Sequence, residues 1–257
     1  SPFLRLSFSD ATLSGDPAQE DTTILRIFSL QDNEVQFFNA ESLANWSNGS
    51  AVFNGDTVIV ELVAHPGVAP SRIVLGSVTA GSQPVFESRT ICGTTDDRVP
   101  SFDHRQARHW PIGCTSWLIN DANSMFMTAG HCATDGADIM QFEVPFSTAS
   151  GTAVAPPVDK QYPTDGASVQ QVNGGIGNDW GYFAVLPNSN TGLVPYQVYG
   201  VRYNLASAAP APANQTIRIT GYGTTSSPIS PTWYLIQKTH TGPFLGGTGT
   251  GLRYRPD

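Results

Sequence analysis

The sequence predicts an all-β protein. Three observations carry the prediction. Glycine (25) and proline (19) are frequent among 257 residues, charged residues make up only 13%, and long helical periodicities are hard to find. A chain of short apolar runs broken by turn residues suits sheets and barrels. With 40% hydrophobic residues and aromatics spread throughout, it has enough apolar surface to build a core. Its length allows one large β domain or two smaller ones.

Residues 1–89 read as a first unit, a small β-sandwich that packs on or precedes the next domain. The runs TTILRIFSL, SAVFNGDTVIVELVAH and SRIVLGSVTAG are β-type, and TVIVELVAH is rich in β-branched residues. Asn54-Gly55-Asp56 and the Pro-rich HPGVAPS (65–71) separate them as turns. FFNAESLANWSN (37–48) suits one short helix. His65, followed by proline at a strand end, reads as a loop histidine.

Residues 90–257 form the second unit. SRTICGTTDDRVPSFDHRQARHWP (88–111) is polar and reads as an irregular linker along a surface. IGCTSWLIN and SMFMTAGHC, joined by NDANS (120–124), then read as a hairpin. In register, its strands bring Cys114 and Cys132 close enough for a disulfide. Cys92 is then left without a partner in the chain. The disulfide implies an oxidising compartment, extracellular or periplasmic.

Charge and hydropathy exclude several functions. The net charge is -8, and only two lysines, Lys160 and Lys238, accompany eleven arginines. No basic run or basic helix face is present, so neither nucleic acid nor an anionic membrane is an expected partner. No apolar stretch approaches the ~18 residues of a membrane span. The N-terminal SPFLRLSFSD lacks the pattern of a signal peptide and reads as the start of a mature chain. Three matches to the glycosylation acceptor pattern, at Asn45, Asn48 and Asn214, are of a kind that arises often by chance.

The chemistry concentrates at FMTAGHC (126–132). His131 ends a strand, follows a small Ala-Gly pair and adjoins Cys132, an arrangement that would hold a base rigidly at the edge of a cleft. A metal site using His131 and a cysteine is disfavoured by the spacing, since no CxxC or HxxxH is present, and no metal or cofactor is expected. A histidine base needs a carboxylate on one ring nitrogen. Asp179 opens the apolar strand WGYFAVLP after the glycine-rich GIGN, so partial burial and pairing are expected. Asp135, Asp138, Asp159 and Asp165 lie in polar sequence and read as solvated turns.

GCTSWLI (113–119), TAGHC (128–132), DWGYFAV (179–185) and ITGYG (219–223) together resemble the chymotrypsin/trypsin family of serine endopeptidases. The resemblance is narrower to the bacterial branch that includes the glutamyl endopeptidases, whose mature N-terminal stretch GTTDDRVP (93–100) is similar to. It covers roughly residues 90–257. It implies a trypsin-like double β-barrel, with His131 as general base and acid and Asp179 as its orienter. The substrate would be a polypeptide, and the branch implies a preference for acidic residues. The family's Gly-x-Ser-Gly nucleophile is absent, because Ser189, Ser207, Ser226, Ser227 and Ser230 stand in no such setting. LRYRPD (252–257) is similar to the strand that in bacterial relatives runs into that serine. The expectation is a secreted serine endopeptidase, a two-chain molecule cut from a zymogen, with the serine on a C-terminal chain of the same protease. The second barrel would be incomplete in this chain, and Cys92 would form an inter-chain disulfide. The competing expectation is a non-catalytic pseudoprotease that binds or supports other molecules. Residues 1–89 would be a pro-domain or a permanent accessory module, with Arg89-Thr90 and Arg98-Val99 as candidate processing sites.

Overall fold

The computed structural model describes residues 2–81, 96–133, 138–208, 215–225 and 230–255. Cys92, Asp135, Asn214, Ser226, Ser227, the Arg89-Thr90 bond and the boundary between residues 89 and 90 lie outside them. The chain is all-β, as predicted.

The N-terminal unit consists of two three-stranded sheets. Its elements are β1 (Phe3–Thr12), β2 (Ile24–Ser29), β3 (Val35–Phe38), helix α1 (Ala40–Asn45), β4 (Phe53–Asn54), β5 (Val58–Val63) and β6 (Arg72–Ala80). One sheet has the order β4-β1-β6 and the other β3-β2-β5. Alternation explains β2, where Leu25, Ile27 and Ser29 are buried and the residues between them are not. α1 begins where a capping box forms, with Asn39 Oδ1 accepting from Ser42 N (2.8 Å) and Ser42 Oγ accepting from Asn39 N (3.0 Å). β1 is a strand not assigned from sequence. Among the described residues β5 and β6 each pair on one side only, and Val63, Leu75 and Val78 on them are exposed.

The next strands are β7 (Val99–Pro100), β8 (Gln106–Trp110), β9 (Cys114–Leu118), β10 (Phe126–Thr128), β11 (Ile139–Gln141), β12 (Gln161–Pro163), β13 (Gln170–Asn173) and β14 (Asp179–Phe183). Seven of them form one sheet, β12-β11-β8-β9-β10-β14-β13. The sheet curls shut. The C-terminal ends of β12 and β14 meet through Asp165 N to Ala184 O (3.0 Å), Leu186 N to Pro163 O (2.9 Å) and an antiparallel bridge between Thr164 and Val185. Six strands thus close a barrel, with β13 added outside as a hairpin on β14. Leu118, Phe126, Met140, Phe142, Tyr162 and Phe183 fill it. Helix α2 (Pro195–Tyr199) follows, and Tyr196 and Tyr199 pack against the filling.

The predicted linker is corrected in its second half. Gln106–Trp110 is a central strand, with Gln106, Ala107, Arg108 and His109 all buried. Each of its inward polar side chains has a partner, although Gln106 Oε1 itself has none. Gln106 Nε2 donates to the Tyr203 hydroxyl (2.9 Å), Arg108 Nε to Gln141 Oε1 (2.8 Å), and His109 bonds Ser116 and Asp138. Polar side chains satisfied by distant partners can fill a core position while giving no apolar signal.

Beyond the barrel, β15 (Thr216–Gly221), β16 (Lys238–Thr248) and β17 (Gly251–Tyr254) form a second sheet with β7, which pairs with β16. This open sheet lies where the sequence placed part of a second barrel. It is anchored at Thr115, whose Oγ1 accepts from Tyr222 N (2.8 Å). Asp96 and Arg98 hold the entry to β7. Burial alone would raise the Asp96 carboxyl, but side-chain and backbone hydrogen bonds from Arg98 outweigh it and hold it below the usual carboxylate range. A lowered carboxyl stabilises the fold above its unfolded value and loses that contribution as pH falls through its folded one. Hydrogen-exchange protection of Val99 and Thr239 is therefore expected to be unchanged from pH 7 to 5 and to drop below about pH 4. Retained protection at pH 2.5, after correction for intrinsic exchange, would count against this.

The N-terminal unit and the barrel share one apolar cluster. Leu6, Phe8, Leu25, Ile27, Trp46 and Phe53 belong to it with Ile139, Ala155 and Val158, and Trp110 packs against it. Hydrogen bonds follow the same seam. Gln161 accepts from Val52 N (3.0 Å) and donates to Val52 O (2.9 Å), and Glu34 accepts from Val158 N (2.7 Å).

Candidate active site

TAGHC lies where β10 ends. After Thr128 the chain makes a single 3-10 turn over Gly130–Cys132, closed by Cys132 N to Ala129 O (3.0 Å). Cys132 is buried and joined to Cys114 of β9, with Cα atoms 6.3 Å apart. The predicted disulfide is present. His131 is thereby fixed between a covalent bond and a strand end, with its side chain 56% exposed.

Gly130 permits this turn. A Cβ at that position would lie 2.0 Å from Val172 O and 2.8 Å from Trp180 O, both backbone atoms of β13 and β14. The turn therefore seats directly on the hairpin that supplies Asp179.

Asp179 is the first residue of β14, as the sequence suggests, and its side chain is 23% exposed. Oδ2 meets His131 Nδ1 at 2.6 Å, and Oδ1 accepts from His131 N at 2.9 Å. Both oxygens thus grip one residue, which sets the position and rotation of the ring. The hydrogen bond from the His131 ring, and then that from its backbone, hold the Asp179 carboxyl below the usual carboxylate range, so it is a carboxylate at neutral pH. A carboxylate on Nδ1 places the ring proton there, leaving Nε2 as the nitrogen free to accept another.

The pair sits beside the second sheet. A Cβ on Gly177, in the turn before Asp179, would collide with Thr250 Oγ1 in the turn between β16 and β17. Among the described residues no serine hydroxyl is hydrogen-bonded to the His131 ring, and this includes Ser189, Ser207 and Ser230. His131 Nδ1 or Nε2 and the two sulfurs lie within 4.8 Å of one another, a spacing that would suit a metal. The sulfurs are bonded to each other, so they offer no thiolate ligand.

A buried Ser-His-Asp arrangement elsewhere was not foreseen. His109 Nδ1 meets Ser116 Oγ at 3.0 Å and its Nε2 meets Asp138 Oδ2 at 2.9 Å. All three are buried, so this is an internal strut. The reading of Asp138 as a solvated turn residue is corrected. Asp138 stands immediately before the apolar IMQF (139–142), the same signal that singled out Asp179. His65 is exposed in its loop, as expected. Arg98-Val99 lies at the start of β7, with Arg98 bound to Asp96.

No helix among the described residues is long and apolar enough to cross a membrane. No protein-family model matches the chain, and no curated protein matches it.

Proposed function

We propose that the chain carries the base and orienting acid of a secreted serine endopeptidase related to the bacterial trypsin-like branch. The observation that carries this reading is the double grip of Asp179 on His131, with no partner on the opposite ring edge among the described residues. A structural histidine would have both nitrogens satisfied, as His109 does. The nucleophilic serine is supplied by a C-terminal polypeptide of the same protease, seated against the sheet of β15, β16 and β17. In the reaction the serine attacks the scissile carbonyl while His131 Nε2 takes its proton. His131 then delivers that proton to the leaving amine, and Asp179 stabilises the ring while it is charged. Water repeats the cycle on the acyl-enzyme. The disulfide supports an oxidising, extracellular or periplasmic location.

The test is covalent labelling. The protein purified from its native secretion is treated with a fluorophosphonate probe, and all co-purifying polypeptides are analysed by mass. A labelled serine peptide is expected, and His131→Ala should abolish the label. If no polypeptide is labelled, the pseudoprotease reading replaces this one. If His131→Ala labels at the original rate, His131 is not the base.

A further inference from the structure

A cavity of about 440 Å³ lies where the N-terminal unit meets the barrel. Phe3, Val52, Trp110, Pro111, Ala153 and Leu235 give it mostly apolar walls, and Arg108 of β8 stands in its lining. It shares no lining residue with the His131–Asp179 pair. Its size is in the range of small-molecule sites.

Arg108 is buried, with 3% of its surface exposed. A guanidinium has five donor hydrogens. Three acceptors are present, Gln141 Oε1 (2.8 Å), Val154 O (3.0 Å) and, weakly, Leu235 O (3.4 Å). All three are neutral, and no carboxylate pairs with Arg108 among the described residues. Two hydrogens on the Nη1/Nη2 side thus lack an acceptor there. Burial pushes the group down to about 10, so it remains a cation at neutral pH.

Of two other enclosed cations among the described residues, one pairs with a carboxylate and the other has an acceptor for every hydrogen. Arg98 holds Asp96 through three contacts. Lys238 spends its three hydrogens on Gly223 O, Trp233 O and Ile236 O. An unpaired buried charge is costly, and a carboxylate on the guanidinium fork is the ligand chemistry that relieves it best.

We propose that this cavity binds a small carboxylate with an apolar body, the carboxylate bridging Arg108 Nη1 and Nη2 and the body lying against Phe3, Trp110 and Leu235. Two sources share that chemistry, the C-terminal residue of a peptide and a free apolar acid.

The experiment is titration calorimetry on the full chain, with Trp110 in the wall making intrinsic fluorescence a second readout. N-acetyl-leucine represents a peptide end, 3-phenylpropanoate a free acid, and N-acetyl-leucinamide lacks the charge. At least one acid is expected to bind with a Kd of about 1 mM or tighter, and the amide at least tenfold more weakly. The acid that binds more tightly identifies the source. Arg108→Met should remove binding of the acids. Because Arg108 is in the core, Ala153→Phe, which fills the cavity from a half-buried position, serves as a second variant and should also remove it. Equal binding of acid and amide, binding unchanged in folded Ala153→Phe, an equal response to sodium chloride alone, or no binding of either acid would each overturn the proposal.

Discussion

Asp179→Asn is expected to slow fluorophosphonate labelling and peptide turnover by about 10⁴-fold, the scale of effect when the orienting acid of such a triad becomes an amide. Asparagine keeps the shape of the side chain. Its Oδ1 can still accept from His131 N, as Asp179 Oδ1 does at 2.9 Å. The group facing Nδ1 is then an N–H donor. The ring must turn its lone pair to it, so the proton moves to Nε2 and the base is lost. Thermal stability should change little, because the site is partly exposed and its hydrogen-bond count is nearly kept. Labelling that falls less than tenfold in folded Asp179→Asn would remove Asp179 from the role of orienter.

Gly130→Ala is expected to cost about 3 kcal/mol of stability and most of the activity. The added methyl would stand 2.0 Å from Val172 O and 2.7 Å from Val172 C. Those are backbone atoms, so no side chain can swing aside. Either the turn lifts off the β13–β14 hairpin or the hairpin shifts, and both separate His131 from Asp179. The disulfide to Cys114 would still form, since it depends on Cys132. Urea unfolding measures the loss, and a midpoint within error of the parent would mean that the turn does not rest on the hairpin as described.

The His131–Asp179 pair was legible because each partner is placed by its own motif. His131 is placed by its neighbours, Gly130 and Cys132, and Asp179 by opening an apolar strand. β1 carries its signal just as openly, with Leu4, Leu6 and Phe8 alternating with Arg5 and Ser7. β8 could not be read this way. Its Arg108 and His109 take their hydrogen-bond partners from 7 to 127 positions away, so nothing in HRQARHWP marks it as interior. The cavity beside Arg108 was equally hidden, because its walls come from the N-terminal unit, the barrel and the segment before β16. The nucleophile is a different matter. Its expected Gly-x-Ser-Gly motif is not in the sequence, and Ser226 and Ser227 lie outside the described residues.

The apolar cluster shared by the N-terminal unit and the barrel constrains how such a protein can diversify. Ile139, Ala155 and Val158 form part of the same interior as Leu25, Ile27 and Trp46. Gln161 and Val52 exchange reciprocal hydrogen bonds across the seam. Recombination that grafts a foreign leading segment onto this barrel would therefore bring mismatched volumes against Ile139 and leave Gln161 with a polar debt. The two parts must drift together, each substitution on one side of the seam restricting what the other side accepts.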